Sequence, residues 1–234
     1  VEGPNHAFVR RIRRELRAAA DPTKSGPMQS YMKSEMPFYG VPTPVHRKLC
    51  RDLLRARRFE DAGEWRDTVL ALWRGARYRE ERYCAIHLAG HRNHCGFRNW
   101  GALPIWEEII VTGAWWDYVD SVSRFLAELL ESTPRAMTRR MQVWSRSENL
   151  WKRRSSIICQ LGRKENTDLD LLYANILENV GDGEFFIRKA IGWALREYAW
   201  TDPGEIERFV RAHGSELAPL SRREALKNIG ANRG

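Results

Sequence analysis

A chain of 234 residues, 43% of them hydrophobic, is long enough to bury a substantial core as a single domain over 1–234 without disulfide staples. Its formal charge of +9 and mean hydropathy of −0.56 exclude a membrane-resident body and make nucleic acid the leading partner over small molecules or lipid. Cys50, Cys84, Cys95 and Cys159 form no CxxC pair and no regular framework, which excludes a disulfide scaffold and a thiolate zinc site of standard spacing.

Apolar residues recur at helical spacing along almost the whole chain, and alternating β-branched runs bounded by hairpin turns are absent. The periodicity predicts helices near 5–20, 28–35, 44–57, 62–74, 79–91, 102–111 and 117–131, then 135–145, 149–161, 168–179, 185–199, 203–213 and 222–229. Thr43-Pro44, Thr133-Pro134 and Asp202-Pro203 each set a capping side chain before a first-turn proline, and Ser221-Arg-Arg-Glu224 has capping-box form. Gly75, Gly113, Gly162, Gly181, Gly183, Gly214 and Gly230 supply stops a few turns apart. So many similar helices on short links predict an all-α, HEAT-like helical-repeat solenoid, with an irregular closed bundle as the alternative. No apolar run approaches the roughly 20 residues of a bilayer span, and no basic leader precedes an apolar stretch. With scattered thiols, these features predict a cytoplasmic protein.

Three helices carry a residue at odds with its face. Over 185–199, Ile187, Ala190, Ile191, Ala194, Leu195 and Tyr198 form the core stripe. Trp193 points away from that stripe, with Lys189 and Arg196 beside it and Gly192 keeping the backbone approachable. An aromatic among cations predicts a DNA-contacting surface, unless a second helix layer covers it. On the helix beginning near Trp116, the stripe of Val119, Val122, Leu126, Leu129 and Leu130 leaves Trp116 and Asp120 together on another face. The plainer reading makes Asp117 an N-cap and Asp120 an acid favoured by the helix dipole. Over 149–161 it is a charge that breaks the stripe, since Arg154 lies among Leu150, Ile157, Ile158 and Leu161. A buried guanidinium requires a partner, either the Asp120 carboxylate in a structural ion pair or a DNA phosphate in an open groove.

At these residues the sequence resembles the AlkD-type DNA alkylation repair glycosylases. The matching stretches, in order, are Tyr31-Met-Lys33, Pro37-Phe38-Tyr39-Gly40 with Thr43-Pro44, and Tyr78-Arg-Glu-Glu-Arg-Tyr83. Next come Trp115-Trp116-Asp117-Tyr118-Val119-Asp120, Asn149-Leu-Trp151-Lys-Arg-Arg154 and the run from Phe185 to Tyr198. The resemblance implies a HEAT-like solenoid with a concave basic face and a monomer acting on alkylated bases in double-stranded DNA, in the bacterial cytoplasm and nucleoid. It implies base excision repair by hydrolysis of the N-glycosidic bond of 3-methyladenine and 7-methylguanine. It makes Asp120 the catalytic carboxylate, Trp116 and Trp193 aromatic walls beside the lesion and Arg154 a phosphate-facing neighbour. Tyr31, Lys33, Thr43 and Arg47 would be DNA-backbone contacts, although Val45-His46 departs from the more usual charged residues before that arginine. No lysine stands out as a Schiff-base nucleophile, so the activity expected is monofunctional.

Two other classes compete. A helical-repeat scaffold could bind nucleic acid or protein without chemistry. A metalloenzyme reading rests on Cys84, His87, His91, His94 and Cys95, of which Cys84, His87 and His91 share a helical face. That string matches no standard zinc pattern and no matching acid follows, so no metal and no cofactor is expected. Trp65, Trp73, Trp100, Trp106 and Trp144 are expected to pack between helices. The arginine-rich stretches 10–17 and 51–58 are read as helix surfaces.

Overall fold

The computed structural model describes residues 3–229, which places the Gly230 stop signal outside the described residues. Among the described residues there is no strand, and the fold is all-α. The helices are α1 (His6–Ala18), α2 (Pro22–Met32), α3 (Thr43–Arg55), α4 (Ala62–Arg74), α5 (Arg79–Ala89) and α6 (Leu103–Gly113). They continue with α7 (Trp116–Ser132), α8 (Pro134–Ser145), α9 (Leu150–Ile158), α10 (Leu169–Glu178), α11 (Phe185–Tyr198), α12 (Pro203–Ala212) and α13 (Pro219–Leu226). Short 3-10 turns at Arg92–Phe97, Trp100–Ala102 and Lys164–Asn166 interrupt the series. No described helix is long and apolar enough to cross a membrane.

Contacts divide the chain into two compact units, Val1–Ile105 and Trp106–Gly234. In the first, α1 packs on α3, α4 and α5, and α5 packs on α3 and α4. The core there is built from Ile12, Leu16, Leu54, Trp65, Val69, Leu72, Trp73 and Leu88. In the second, each helix from α7 onward packs on its successor or next-but-one neighbour, the stacking order of a HEAT-like helical repeat. Trp106 and Trp144 are buried as the sequence predicts, and Trp106 stacks on Phe125 at 4.4 Å between centroids.

Several local expectations are corrected. Helix α2 begins at Pro22, six residues before the predicted start, because Asp21 caps it by accepting from Thr23 N. It accommodates Pro27, and Ser25 Oγ ties it to the Phe38 carbonyl at 2.6 Å. Asp202 caps α12 as expected, by accepting from Glu205 N. Thr43 lies inside α3 rather than capping it, and Thr133 donates to the Leu129 carbonyl instead of bonding the start of α8. The Ser221–Glu224 capping box does not form. α13 starts at Pro219, Ser221 is fully buried and donates to the Arg188 carbonyl at 2.9 Å, and Glu224 faces α11.

In the first unit a buried carboxylate organises the link between α2 and α3. Glu80, the second residue of α5, accepts from the backbone N–H groups of Tyr39, Gly40 and Val41 at 3.0–3.1 Å. Its neighbour Glu81 accepts from Arg13 Nε and Tyr39 Oη at 2.9 Å. Gly40 is required in that link, because its φ is +84° and a Cβ there would meet the Asp21 carbonyl oxygen at 2.0 Å. The Phe-Tyr-Gly and Arg-Glu-Glu-Arg motifs are thus two halves of one hydrogen-bonded clasp.

Candidate functional site

Helix α7 supplies the acid. Its buried stripe of Val119, Val122, Phe125, Leu126 and Leu129 fixes its rotation, which leaves Trp116 and Asp120 half-buried one turn apart on another face. Asp117 is not the N-cap, since Trp115 holds that position and Asp117 sits in the first turn. Helix α9 supplies the cation. Arg154 Nε and Nη2 donate to the two Asp120 carboxylate oxygens at 2.8 and 2.9 Å, a bidentate pair. Arg154 Nη1 donates to the Phe186 carbonyl at the start of α11, at 2.6 Å.

The guanidinium side chain is 5% exposed and the Asp120 side chain 17%. Of the two partners that the sequence left open for Arg154, the structure therefore supplies the carboxylate. Burial pushes the Asp120 carboxyl above its usual range and Asp117 adds to this, while the hydrogen bonds and charge of Arg154 oppose it. Residues next to the pair in sequence form a cluster of aromatic rings. Trp115 lies 6.1 Å from Trp151 and 5.5 Å from Phe186 between centroids, and Trp151 lies 5.1 Å from Phe186. Trp115, Trp151 and Phe186 were not singled out by periodicity, although all three fall in stretches that carry the family resemblance. The available signal was position, since Trp151 precedes Arg154 by three residues and so shares its face.

Trp193 follows Phe186 by seven residues on α11, nearly two turns and about 10 Å further along the same face. It is half-buried and packs in part on the core of the second unit rather than standing clear of it. The cationic side of α11 is covered by α13. Lys189 pairs with Glu224 at 3.3 Å, and Arg196 makes a short ion pair with the same carboxylate. Gly192 is buried and does not leave the backbone approachable; a Cβ there would meet Glu224 Cβ at 2.6 Å and the Ser221 carbonyl oxygen at 3.0 Å. The second helix layer, offered as the alternative for this surface, is what covers it. Lys189 and Arg196 would reach a phosphate only by giving up Glu224.

In the first unit, Tyr31, Lys33, Thr43 and Arg47 are all exposed, Tyr31 at 79%. They flank the clasp. Tyr31 and Lys33 lie at the end of α2, where Lys33 adopts φ 49° as the left-handed cap, and Thr43 and Arg47 lie on the first turns of α3. The metal string is broken. Cys84 and His87 lie on α5 toward α3, whereas His94 accepts the Phe59 N–H at 3.2 Å and His91 accepts from Asn93 N in the following 3-10 turn.

A profile for DNA alkylation repair enzymes matches residues 12–229. The chain belongs to the DNA alkylation repair enzyme family. A solved structure described as a predicted DNA alkylation repair enzyme from Enterococcus faecalis is similar at 30% identity and a TM-score of 0.80. The match covers 89% of this chain and 95% of that one. No functionally curated protein matches. In this member of the family, the Asp120–Arg154 pair joins α7 to α9, and the Phe186 carbonyl ties it to α11.

Proposed function

We propose that this member of the family is a monofunctional DNA glycosylase that hydrolyses the N-glycosidic bond of cationic alkylated purines in duplex DNA. Methylation at N3 of adenine or N7 of guanine leaves the base positively charged. When the C1′–N bond breaks, its electron pair returns to the base, which departs neutral and needs no proton from the protein. The deoxyribose left behind has oxocarbenium character, and water completes the reaction by bonding to C1′ and losing a proton.

The observation that carries this reading is the placement of Asp120: half-buried, held by both carboxylate oxygens on Arg154, and one turn from Trp116. A carboxylate has about four lone-pair directions. Arg154 occupies one on each oxygen, which leaves the others for a sugar cation or its attacking water. At about 4 Å and an effective dielectric near 20, the attraction is of order 4 kcal/mol, or roughly a thousandfold in rate. Trp116 and Trp193 would add about 0.5–2 kcal/mol each where an indole face meets the cation. Arg154 acts as a positioning residue. Tyr31, Lys33, Thr43 and Arg47 are proposed to hold the DNA backbone, and Lys189 and Arg196 enter only if DNA displaces Glu224.

Purified protein incubated with duplex DNA carrying 3-methyladenine or 7-methylguanine is expected to release the free base and leave an abasic strand that is cut only after alkali. No release of either base would refute the glycosylase assignment, and strand cleavage without alkali would refute its monofunctional character.

A further inference from the structure

Helices α3 and α5 bring two short patterns together in the first unit. On α3, His46 and Cys50 are separated by four residues and share a face; on α5, Cys84 and His87 are separated by three and do the same. The two faces meet in the core, where His46, Cys50 and Cys84 are buried and His87 is half-buried. One donor atom from each of His46, Cys50 and His87 lies within 4.8 Å of the other two. Cys84 Sγ lies 2.7 Å from Cys50 Sγ and 3.4 Å from His46 Nε2.

Tetrahedral zinc with bonds near 2.0 Å to nitrogen and 2.3 Å to sulfur sets its donors about 3.3 to 3.8 Å apart. The His46–Cys50 separations, 3.9 Å from Nδ1 and 3.7 Å from Nε2, are close to that edge length. His46 Nε2 lies 3.0 Å from the Glu80 backbone carbonyl, and a hydrogen bond there leaves Nδ1, 3.9 Å from Cys50 Sγ, as the nitrogen with a lone pair to give a metal. A rotation about χ1 of Cys84 would part the two sulfurs by about 1 Å, as the tetrahedral edge requires.

We propose that His46, Cys50, Cys84 and His87 bind one zinc ion that pins α3 to α5. Two imidazoles and two thiolates are the donor set of structural zinc, and their softness selects against magnesium and calcium. Binding forms two Zn–S and two Zn–N bonds, and the two thiol protons pass to solvent. Through Glu80, whose carbonyl faces His46 and whose carboxylate holds the Tyr39–Val41 backbone, the ion would stiffen the link that carries Lys33 and Thr43. The string of cysteines and histidines at 84–95 concealed this site, because half of its ligands come from 34 residues or more upstream on another helix.

The test is elemental analysis of full-length protein produced without a histidine tag and purified without chelator, beside Cys84→Ser, His87→Gln and the exposed-thiol control Cys95→Ser. About one zinc per chain is expected in the parent and the control, falling to below about a fifth in the two ligand variants. Because Cys84→Ser could unfold, the parent is also loaded with cobalt in place of zinc, where a thiolate-to-cobalt charge-transfer band is expected. A parent that carries no zinc, takes up none when it is supplied and shows no such band overturns the proposal. So does zinc retained equally by the ligand variants, or a metal-free parent whose Cys50 and Cys84 titrate as a disulfide.

Discussion

Asp120 and Arg154 form one bidentate pair withdrawn from solvent. Asp120 titrates above the unfolded value of 3.8 because burial outweighs Arg154, so ionising it disfavours folding as pH rises through the raised value. An ionised Asp120 would therefore cost the fold stability, as charges at functional sites often do. Arg154→Ala removes the groups that lower the Asp120 value, and the acid limb of the excision rate is expected to move to higher pH. The variant should also lose about 3 kcal/mol or more of stability, because it leaves a buried carboxylate unpaired. A pH–rate profile that coincides with the parent's would contradict the coupling. His94 shows the opposite sign. Desolvation lowers it from 6.5 to about 4, so the folded chain takes up its proton later than the unfolded one. Stability is full above pH 6.5 and falls progressively to about pH 4, by up to about 3 kcal/mol. Denaturant unfolding across that interval should show a smaller slope with pH in His94→Gln, and an identical slope would remove His94 from the explanation.

Helix rotation was legible in the sequence wherever a stripe was complete. The faces of α7, α9 and α11 follow from Val119, Ile157 and Ile191 and their partners, which is why Asp120 and Arg154 stood out before any coordinates. Cap chemistry was less legible, because it depends on which groups tertiary packing leaves available. Ser221 has the form of a capping residue, yet it is buried against the Arg188 carbonyl, and Glu224 is taken by Lys189 and Arg196. The periodicity starts α2 six residues late and ends it three residues late, because Gly26 and Pro27 argue against a helix, whereas Asp21 and the Phe38 carbonyl hold its first turns. The close approach of α13 to α11 gives a direct test. In Gly192→Ala the new methyl meets backbone as well as a side chain, and a loss of about 1–3 kcal/mol is expected in thermal or denaturant unfolding. Unchanged stability would mean that α13 is not seated as described.

Charge is the property of the whole molecule most plainly written in its composition. A formal +9 predicts DNA binding that weakens steeply with salt, with a slope near −0.9 in log K per phosphate contacted. Removing two phosphate contacts in Lys33→Ala/Arg47→Ala should flatten that slope by about two, whereas an unchanged slope would place both residues away from DNA. Fold class was legible from periodicity alone. The carboxylate's partner was legible only as an alternative, since periodicity marked Arg154 as buried without naming what it met. The claim on which the account turns is that the Asp120 charge lowers the barrier to base loss rather than holding DNA. Single-turnover excision of 7-methylguanine by Asp120→Asn, measured with enough enzyme to bind all of the duplex, separates these roles. The account predicts DNA affinity within about threefold of the parent and a rate roughly a thousandfold slower. An excision rate equal to the parent's would contradict it.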